Sequence, residues 1–281
     1  MRKIMPKSSK LQNLLVIILC MVGFLPMFFF VSIEMGIAEA SVDSSQMSKV
    51  EFDPYVENVA FGVNEKFSFD INYGFVNAGT ANMEVVRLID YKKRPCYQIV
   101  TTANSNSFFS TFYKVEDKIE SIVDAIGIFS WRFEKKLKEG SYRSDRMYEF
   151  DQKNNKVFYN EDTLVVPSQV QDAISVLYYI RTQDLKVGET VRVDNFTDGK
   201  LYSLEVDILK KETITVKAGT FDCIVVEPLQ KGVGVFKNEG KLKVWLTDDR
   251  LKMPVQMKSK VIVGSITAEL TDFQLGEIES F

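Results

Sequence analysis

The chain has 281 residues, of which 46% are apolar and 26% are charged, and its formal net charge is −3. This apolar fraction excludes wholesale disorder, and the slightly acidic balance disfavours a nucleic-acid-binding protein. The chain contains no histidine, which excludes a Ser-His-Asp triad, a histidine-ligated zinc site and a histidine general base. We therefore predict a globular protein with no catalytic residues, no cofactor and no metal site.

Residues 1–40 have the pattern of an export segment. Basic residues at 2, 3, 7 and 10 precede an apolar run over residues 11–33, and Ala38-Glu39-Ala40 forms a small-x-small cleavage site. The run is also long enough to span a bilayer, which needs about 20 residues. Two alternatives follow: a cleaved signal peptide with the mature chain starting at Ser41, or a retained anchor that contacts the inner membrane through residues 11–33. In both, the remaining chain lies outside the cytoplasm, and we expect the periplasm of a Gram-negative bacterium.

The exported part consists of a polar lead-in over residues 41–60 and a single β-rich domain over residues 61–281. Apolar residues alternate with polar ones, as at Phe67, Phe69 and Ile71, which is the period of a half-buried strand. Glycines and acidic residues separate the alternating runs. The predicted strands are 66–73, 80–90, 96–103, 113–124, 129–138, 142–151, 156–160, 190–196, 200–210, 212–217, 220–228, 241–247, 254–263 and 265–273.

One segment has helical spacing instead. Within residues 172–181, Leu177, Tyr178 and Arg181 fall on one helical face, and Asp172 is placed to cap the helix. We expect Leu177 and Tyr178 to face the sheet and Arg181 to pair with an acidic side chain at the sheet rim. Residues 105–112 are a weaker helical candidate.

These elements predict an all-β fold. One long antiparallel meander is expected to curl into a half-barrel or barrel-like sheet with one short helix packed against it, because strands twist and exposed edges are a liability. Cys96 and Cys223 lie in strand-like runs. Export permits a disulfide between them, and two buried free thiols are the alternative.

Five segments in order resemble the domain of unknown function 3108 family of exported bacterial proteins. The most specific are Asp172-Ala-Ile-Ser-Val-Leu-Tyr-Tyr-Ile-Arg181, which includes Tyr179, and Trp245-Leu-Thr-Asp248-Asp249. The others are residues 62–67, 77–81 and 140–143. Together they cover about residues 60–275. The resemblance implies a curved β-sheet similar to periplasmic lipoprotein carriers, and it implies no assigned activity and no catalytic residues.

Two groups of aromatic residues are candidates for an apolar ligand site. Phe108, Phe109 and Phe112 lie in a short connector, as expected for the mouth of a cavity. The other group is expected on one strand face, lining whatever the sheet encloses; its members are Phe129, Trp131 and Phe133. A chain of about 14 methylenes would gain roughly 11 kcal/mol on entering such a cavity, so the expected ligand is an acyl chain, a lipid or a lipoprotein moiety.

Charged residues offer weaker candidates. Asp248 and Asp249 follow a strand and are expected to form a turn with a local ion pair, although paired carboxylates can also act as acid and base. Glu116 and Asp117 are a second carboxylate pair. Three lysines lie near a predicted turn: Lys135, Lys136 and Lys138. We expect them to form a solvated strand end, and contact with anionic lipid headgroups is the alternative.

Three functions remain open from the sequence. The first is a non-enzymatic envelope protein that binds an acyl chain, lipid or lipoprotein in the concavity of its sheet. The second is a structural or protein-interaction module of the envelope whose core is filled by its own side chains. The third is a hydrolase that uses one of the carboxylate pairs.

Overall fold

The computed structural model describes residues 52–231, 242–260 and 264–281. The predicted export segment and residues 41–51 of the lead-in lie outside the described residues. The first half of the domain contains β1 (Lys66–Tyr73), β2 (Val76–Tyr91), β3 (Arg94–Ser105), α1 (Ser107–Ser110), β4 (Glu116–Asp124), β5 (Ser130–Glu139), β6 (Tyr142–Asp151), β7 (Lys156–Tyr159) and β8 (Asp162–Val165). The second half contains α2 (Ser175–Thr182), β9 (Thr190–Thr197), β10 (Lys200–Val216), β11 (Gly219–Lys231), β12 (Leu242–Thr247), β13 (Pro254–Lys260) and β14 (Ser265–Gln274).

The fourteen strands form one antiparallel sheet that is not closed, in the order β8-β7-β6-β5-β4-β3-β2-β1-β14-β13-β12-β11-β10-β9. The all-β class is therefore confirmed. The prediction that all strands follow one continuous meander is wrong in detail. The sheet consists of two meanders, β1–β8 and β9–β14, which are joined at its centre by the pairing of β1 with β14. As a result β8 and β9, which are consecutive in the chain, lie at opposite edges.

The sheet curls until its two edges approach each other. The Phe196 ring on β9 lies 5.6 Å from the Tyr148 ring and 6.0 Å from the Phe150 ring on β6, although β6 and β9 are far apart in the strand order. The segment after β8 closes part of the remaining gap, because Gln171 forms a parallel bridge with Asn195 of β9. We call the side of the sheet that faces this enclosed space the inner face.

Alternation along the strands decides which side chains reach the inner face. In β1, Phe67, Phe69 and Ile71 are each at most 1% exposed, whereas their neighbours in the strand are more accessible. Two predicted strands, 200–210 and 212–217, are one long strand, β10, with a register shift between Ile208 and Lys210. Strand β8 was not predicted, since all four of its residues are exposed and show no alternation.

The described part of the lead-in packs on the sheet. Phe52 contacts the rings of Phe129 and Trp131 at 5.6 and 6.2 Å, and the Val56 amide donates to the Ile126 carbonyl. Ala60 is 1% exposed. Residues 52–60 therefore belong to the folded domain. Among the described residues, no helix is long and apolar enough to cross a membrane.

Candidate functional site

The inner face, where an acyl chain would have to bind, is lined by buried side chains. Its large aromatic residues are all below 2% exposed: Phe67, Phe69, Tyr97, Phe133, Tyr148, Phe150, Tyr178 and Phe196. A void wide enough for an acyl chain would leave the side chains around it accessible to water-sized molecules. The described inner face is therefore filled by its own side chains and by α2.

Asp172 fixes the segment that leads into α2. Its carboxylate accepts the hydroxyl protons of Ser121 and Ser130, each at 2.5 Å, and the backbone N–H groups of Ile174 and Ser175 at 2.7 and 2.8 Å. Burial raises the pKa of Asp172, and the four donors oppose that rise because they favour the ionised form. Asp172 is not the N-cap that was expected: the helix spans Ser175–Thr182, its N-cap is Ile174, and the Asp172 carboxylate instead holds the turn that precedes the helix.

Arg181 forms a buried ion pair with Glu65. Two guanidinium nitrogens donate to the two carboxylate oxygens at 2.7 Å each, and the exposed fractions of Arg181 and Glu65 are 1% and 2%. The guanidinium also donates to the carbonyls of Ala60 and Leu251 at 3.1 Å. The expected acidic partner exists, but it lies in the core instead of at the rim. Glu65 was missed as the partner, although it belongs to the 62–67 segment of the family resemblance.

The remaining side chains of α2 differ in burial. Tyr178 is fully buried, with its ring 4.7 Å from the Phe61 ring, and its hydroxyl has no hydrogen-bond partner among the described residues. Leu177 and Tyr179 are only half-buried. Leu177 packs against the core as expected, but only its edge is covered; the side chains that the helix buries fully include Val176 and Ile180.

A β-bulge separates the three aromatic residues expected on one face of β5. Ile122 pairs with Arg132 and Val123 pairs with Ser130, so Trp131 has no partner on β4. The extra residue reverses the direction in which the side chains before it point. Consequently Phe133 lies in the main core, whereas Phe129 and Trp131 lie in a small separate cluster with Ile122 and Cys96.

The connector between β3 and β4 divides its three rings between the core and the surface. Phe109 packs against the core, while Phe108 and Phe112 are 63% and 66% exposed. The adjacent β1–β2 turn carries Phe75, which is fully exposed, and Val76, which is 53% exposed. We call Phe75, Val76, Phe108 and Phe112 the aromatic rim.

The carboxylate pairs expected from the sequence do not converge. Asp248 pairs with Lys211 at 2.7 Å, and the Asp249 carboxylate accepts the backbone N–H groups of Leu251 and Lys252, so both acids stabilise a turn. Trp245, just before this turn, is buried, and its indole N–H donates to Glu212. Glu116 and Asp117 are adjacent in β4 and point to opposite faces: Glu116 is exposed and pairs with Lys114, and Asp117 is 4% exposed.

A buried polar group that the sequence did not reveal surrounds Asp117. Glu139 lies diagonally across from it on β5 and is 2% exposed, and Lys135 is 7% exposed and bonds Asp198 at 2.8 Å. Burial raises the pKa of Asp117 to about 6 and that of Glu139 to about 7, and the charge of Asp117 adds to the rise at Glu139. Lys135 is therefore not part of a solvated strand end, whereas Lys136 and Lys138 are exposed.

Cys96 and Cys223 are free thiols in this structure, and five strands lie between β3 and β11. Burial raises the pKa of each thiol to about 12, which makes both unreactive at neutral pH. In the described part of the chain, no group of three or more acids and cysteines is placed to hold a metal ion.

A cleft of about 250 Å³ opens at the end of the sheet opposite the aromatic rim, lined by residues 55–59, 125–126 and 278–281. Its volume lies below the range of about 300–1,000 Å³ that is usual for small-molecule sites. Its lining mixes apolar side chains such as Tyr55 and Phe281 with polar ones such as Asn58 and Glu279. The cleft does not have the size or the lining of an acyl-chain site.

Comparisons with solved structures support the fold. A beta-barrel-like protein of domain of unknown function DUF1849 from Brucella abortus is 10% identical, with a TM-score of 0.53, and the match covers 78% of this chain and 100% of that one. A candidate lipoprotein from Parabacteroides distasonis is 12% identical, with a TM-score of 0.36 and coverage of 79% and 100%. The second match is too weak to support an argument.

No match was found among curated proteins. The sequence matches the family described as "Protein of unknown function (DUF3108)" over residues 68–271. This range contains twelve of the fourteen strands in full, β2 to β13, and it begins within β1 and ends within β14. It also contains Asp172, Arg181 and the Trp245 turn, which confirms the resemblance that these residues indicated. The chain therefore belongs to the DUF3108 family of proteins of unknown function.

Proposed function

We propose that this protein is a non-enzymatic, exported module of the cell envelope that acts through its surface and does not carry a lipid inside its sheet. The observation that supports this most directly is the packing of the inner face, where aromatic side chains are below 2% exposed. The export segment predicted from residues 1–40 supports the location. Of the two leading functions inferred from the sequence, this is the one with a self-filled core.

The energies favour the filled core over an internal ligand. An acyl chain of about 14 methylenes gains roughly 11 kcal/mol on leaving water. To enter, it would have to displace buried rings such as Phe133, Tyr148 and Phe150, and the loss of each buried ring costs about 3–5 kcal/mol. Three displaced rings offset the whole gain.

The carboxylates give little support to a hydrolase. A general acid and a general base have to reach the same substrate. Asp248 and Asp249 are engaged in a turn, and Glu116 lies on the face opposite to Asp117. Asp117 and Glu139 do share a site, but they are 4% and 2% exposed, which leaves a substrate no access to them.

Ligand uptake by the chain that starts at Ser41 tests the proposal. We expect no saturable binding of hexadecanoic acid by calorimetry and no lipid retained in native mass spectrometry. The variant Phe133→Ala is the matched control, because it removes a buried ring and opens apolar space that benzene can enter. Binding of one hexadecanoic acid per wild-type chain would refute the proposal and restore the carrier function.

A further inference from the structure

The aromatic rim exposes more apolar side chain than a solvated turn requires. Phe75 is fully exposed, Phe108 and Phe112 are 63% and 66% exposed, and Val76 is 53% exposed. The rings of Phe108 and Phe112 contact each other at 5.6 Å instead of packing into the core. Contiguous apolar groups on the surface of an exported domain indicate a contact with another apolar phase or protein.

The rim is held on ordered backbone. Asn106 joins its two parts, because its side-chain amide donates to the Asn77 carbonyl at 2.7 Å and its backbone N–H donates to the Ala78 carbonyl at 2.9 Å. The same side chain accepts the Phe109 N–H at 2.9 Å and so begins α1. The backbone that carries the exposed rings is therefore held in place by hydrogen bonds, which reduces the entropy cost of ordering this segment on binding.

Basic side chains flank the rim. The β5–β6 turn is joined to the connector, since the Gly140 amide donates to the Lys114 carbonyl. Lys138 and Arg143 on this hairpin are exposed, and their charges reach Glu116. Neither is in an ion pair among the described residues, whereas Lys114 is neutralised by Glu116 at 2.6 Å. The Arg143 guanidinium donates to the carbonyls of Gly140 and Tyr142, which leaves its charge uncompensated. In a chain of net charge −3, these two basic groups beside exposed rings form a local positive patch.

We propose that the aromatic rim inserts into the interface of an anionic lipid bilayer, with Lys138 and Arg143 contacting the phosphate headgroups. This inference deepens the proposed function, on which it rests, by naming the surface that the module contacts. Aromatic side chains partition into the headgroup region, and each basic residue near an anionic surface adds attraction. A second protein copy would bury the rings equally well, but it would bring a second positive patch against the first.

Vesicle co-sedimentation of the chain that starts at Ser41 tests this inference. That chain keeps the complete sheet, since all strands lie within residues 66–274, and it lacks the apolar run that would insert by itself. We expect binding to vesicles of phosphatidylcholine with 30% phosphatidylglycerol. The variant Phe75→Ser/Phe108→Ser/Phe112→Ser should bind about 100-fold more weakly, about fivefold per ring.

The matched control removes three exposed apolar side chains at the opposite end of the sheet. Tyr55, Val59 and Phe281 are 67%, 42% and 50% exposed, and their replacement by serine should leave vesicle binding unchanged. The variant Lys138→Ser/Arg143→Ser should weaken binding to anionic vesicles about 25-fold and leave binding to neutral vesicles unchanged. In the variant Phe108→Trp, the tryptophan emission should shift to the blue on vesicle binding.

The outcomes separate this inference from the function on which it rests. Equal vesicle binding by the wild type and the rim variant, or no binding by the wild type, refutes the rim as a membrane contact and leaves the filled core untouched. A change from dimer to monomer in the rim variant, without vesicle binding by the wild type, would assign the rim to a second copy and also refutes the inference. Saturable uptake of monomeric hexadecanoic acid would instead refute the proposed function.

Discussion

Replacement of Glu65 by glutamine should destabilise the fold strongly, because it leaves Arg181 as an uncompensated buried charge. The pair is 1–2% exposed and makes two hydrogen bonds of 2.7 Å. Removal of one partner from a buried ion pair costs about 3–5 kcal/mol. In a domain of this size, 1 kcal/mol shifts the melting temperature by about 2–4 °C, so we expect a decrease of about 6–20 °C.

Urea denaturation gives the free energy of unfolding directly, provided that the slope of the transition is unchanged. The matched control is Asp184→Asn, which removes an acid from the pair with Lys186, whose members are 77% and 63% exposed. We expect no resolvable loss of stability there, because solvent screens an exposed pair. The reasoning is refuted if Glu65→Gln costs as little as the control. The double variant Glu65→Gln/Arg181→Met should recover part of the loss, since it removes the buried charge.

Three further predictions concern the core. Tyr178→Phe should change the free energy of unfolding by less than about 1 kcal/mol, because the hydroxyl has no partner among the described residues. Tyr178→Ala should cost about 3–5 kcal/mol, and Leu177→Ala about 1–2 kcal/mol because Leu177 is only half-buried. Equal losses for all three variants in urea denaturation would contradict this. Burial raises the pKa of Asp117 from 3.8 to about 6 and that of Glu139 from 4.5 to about 7, so the folded state holds their protons more tightly than the unfolded state does. The free energy of unfolding should therefore fall by about 5 kcal/mol as pH rises from 4 to 8. Asp117→Asn/Glu139→Gln should abolish this fall, and an unchanged pH profile of the melting temperature would count against it. The two buried thiols should react with a disulfide reagent only after denaturant is added, and rapid reaction of the native chain would show that they are accessible.

The strands were predictable because alternation is a local signal. Phe67, Phe69 and Ile71 could be assigned to one face from their spacing alone. The bulge at Trp131 could not be predicted, since one additional residue reverses the faces without changing the composition of the strand. For this reason Phe129 and Trp131 were placed with Phe133, although they lie in a different cluster.

Long-range partners left no local signal. The pairing of β1 with β14 and the contact of Glu65 with Arg181 join residues more than a hundred positions apart. The sequence predicted an acidic partner for Arg181, but it did not identify Glu65, which the fold buries beside the guanidinium. Likewise, the aromatic connector was correctly identified as unusual, but only the structure distinguishes Phe109, which is packed, from Phe108, which is exposed.

The pairing of β1 with β14 constrains how the chain acquires its fold. Synthesis and export both proceed from the N-terminus, so β1 emerges about 200 residues before the strand that completes its hydrogen bonds. Until then, β1 is an open edge that can pair with other chains. We expect nascent chains to need a holding chaperone until the last strand appears, and truncations before residue 265 to aggregate.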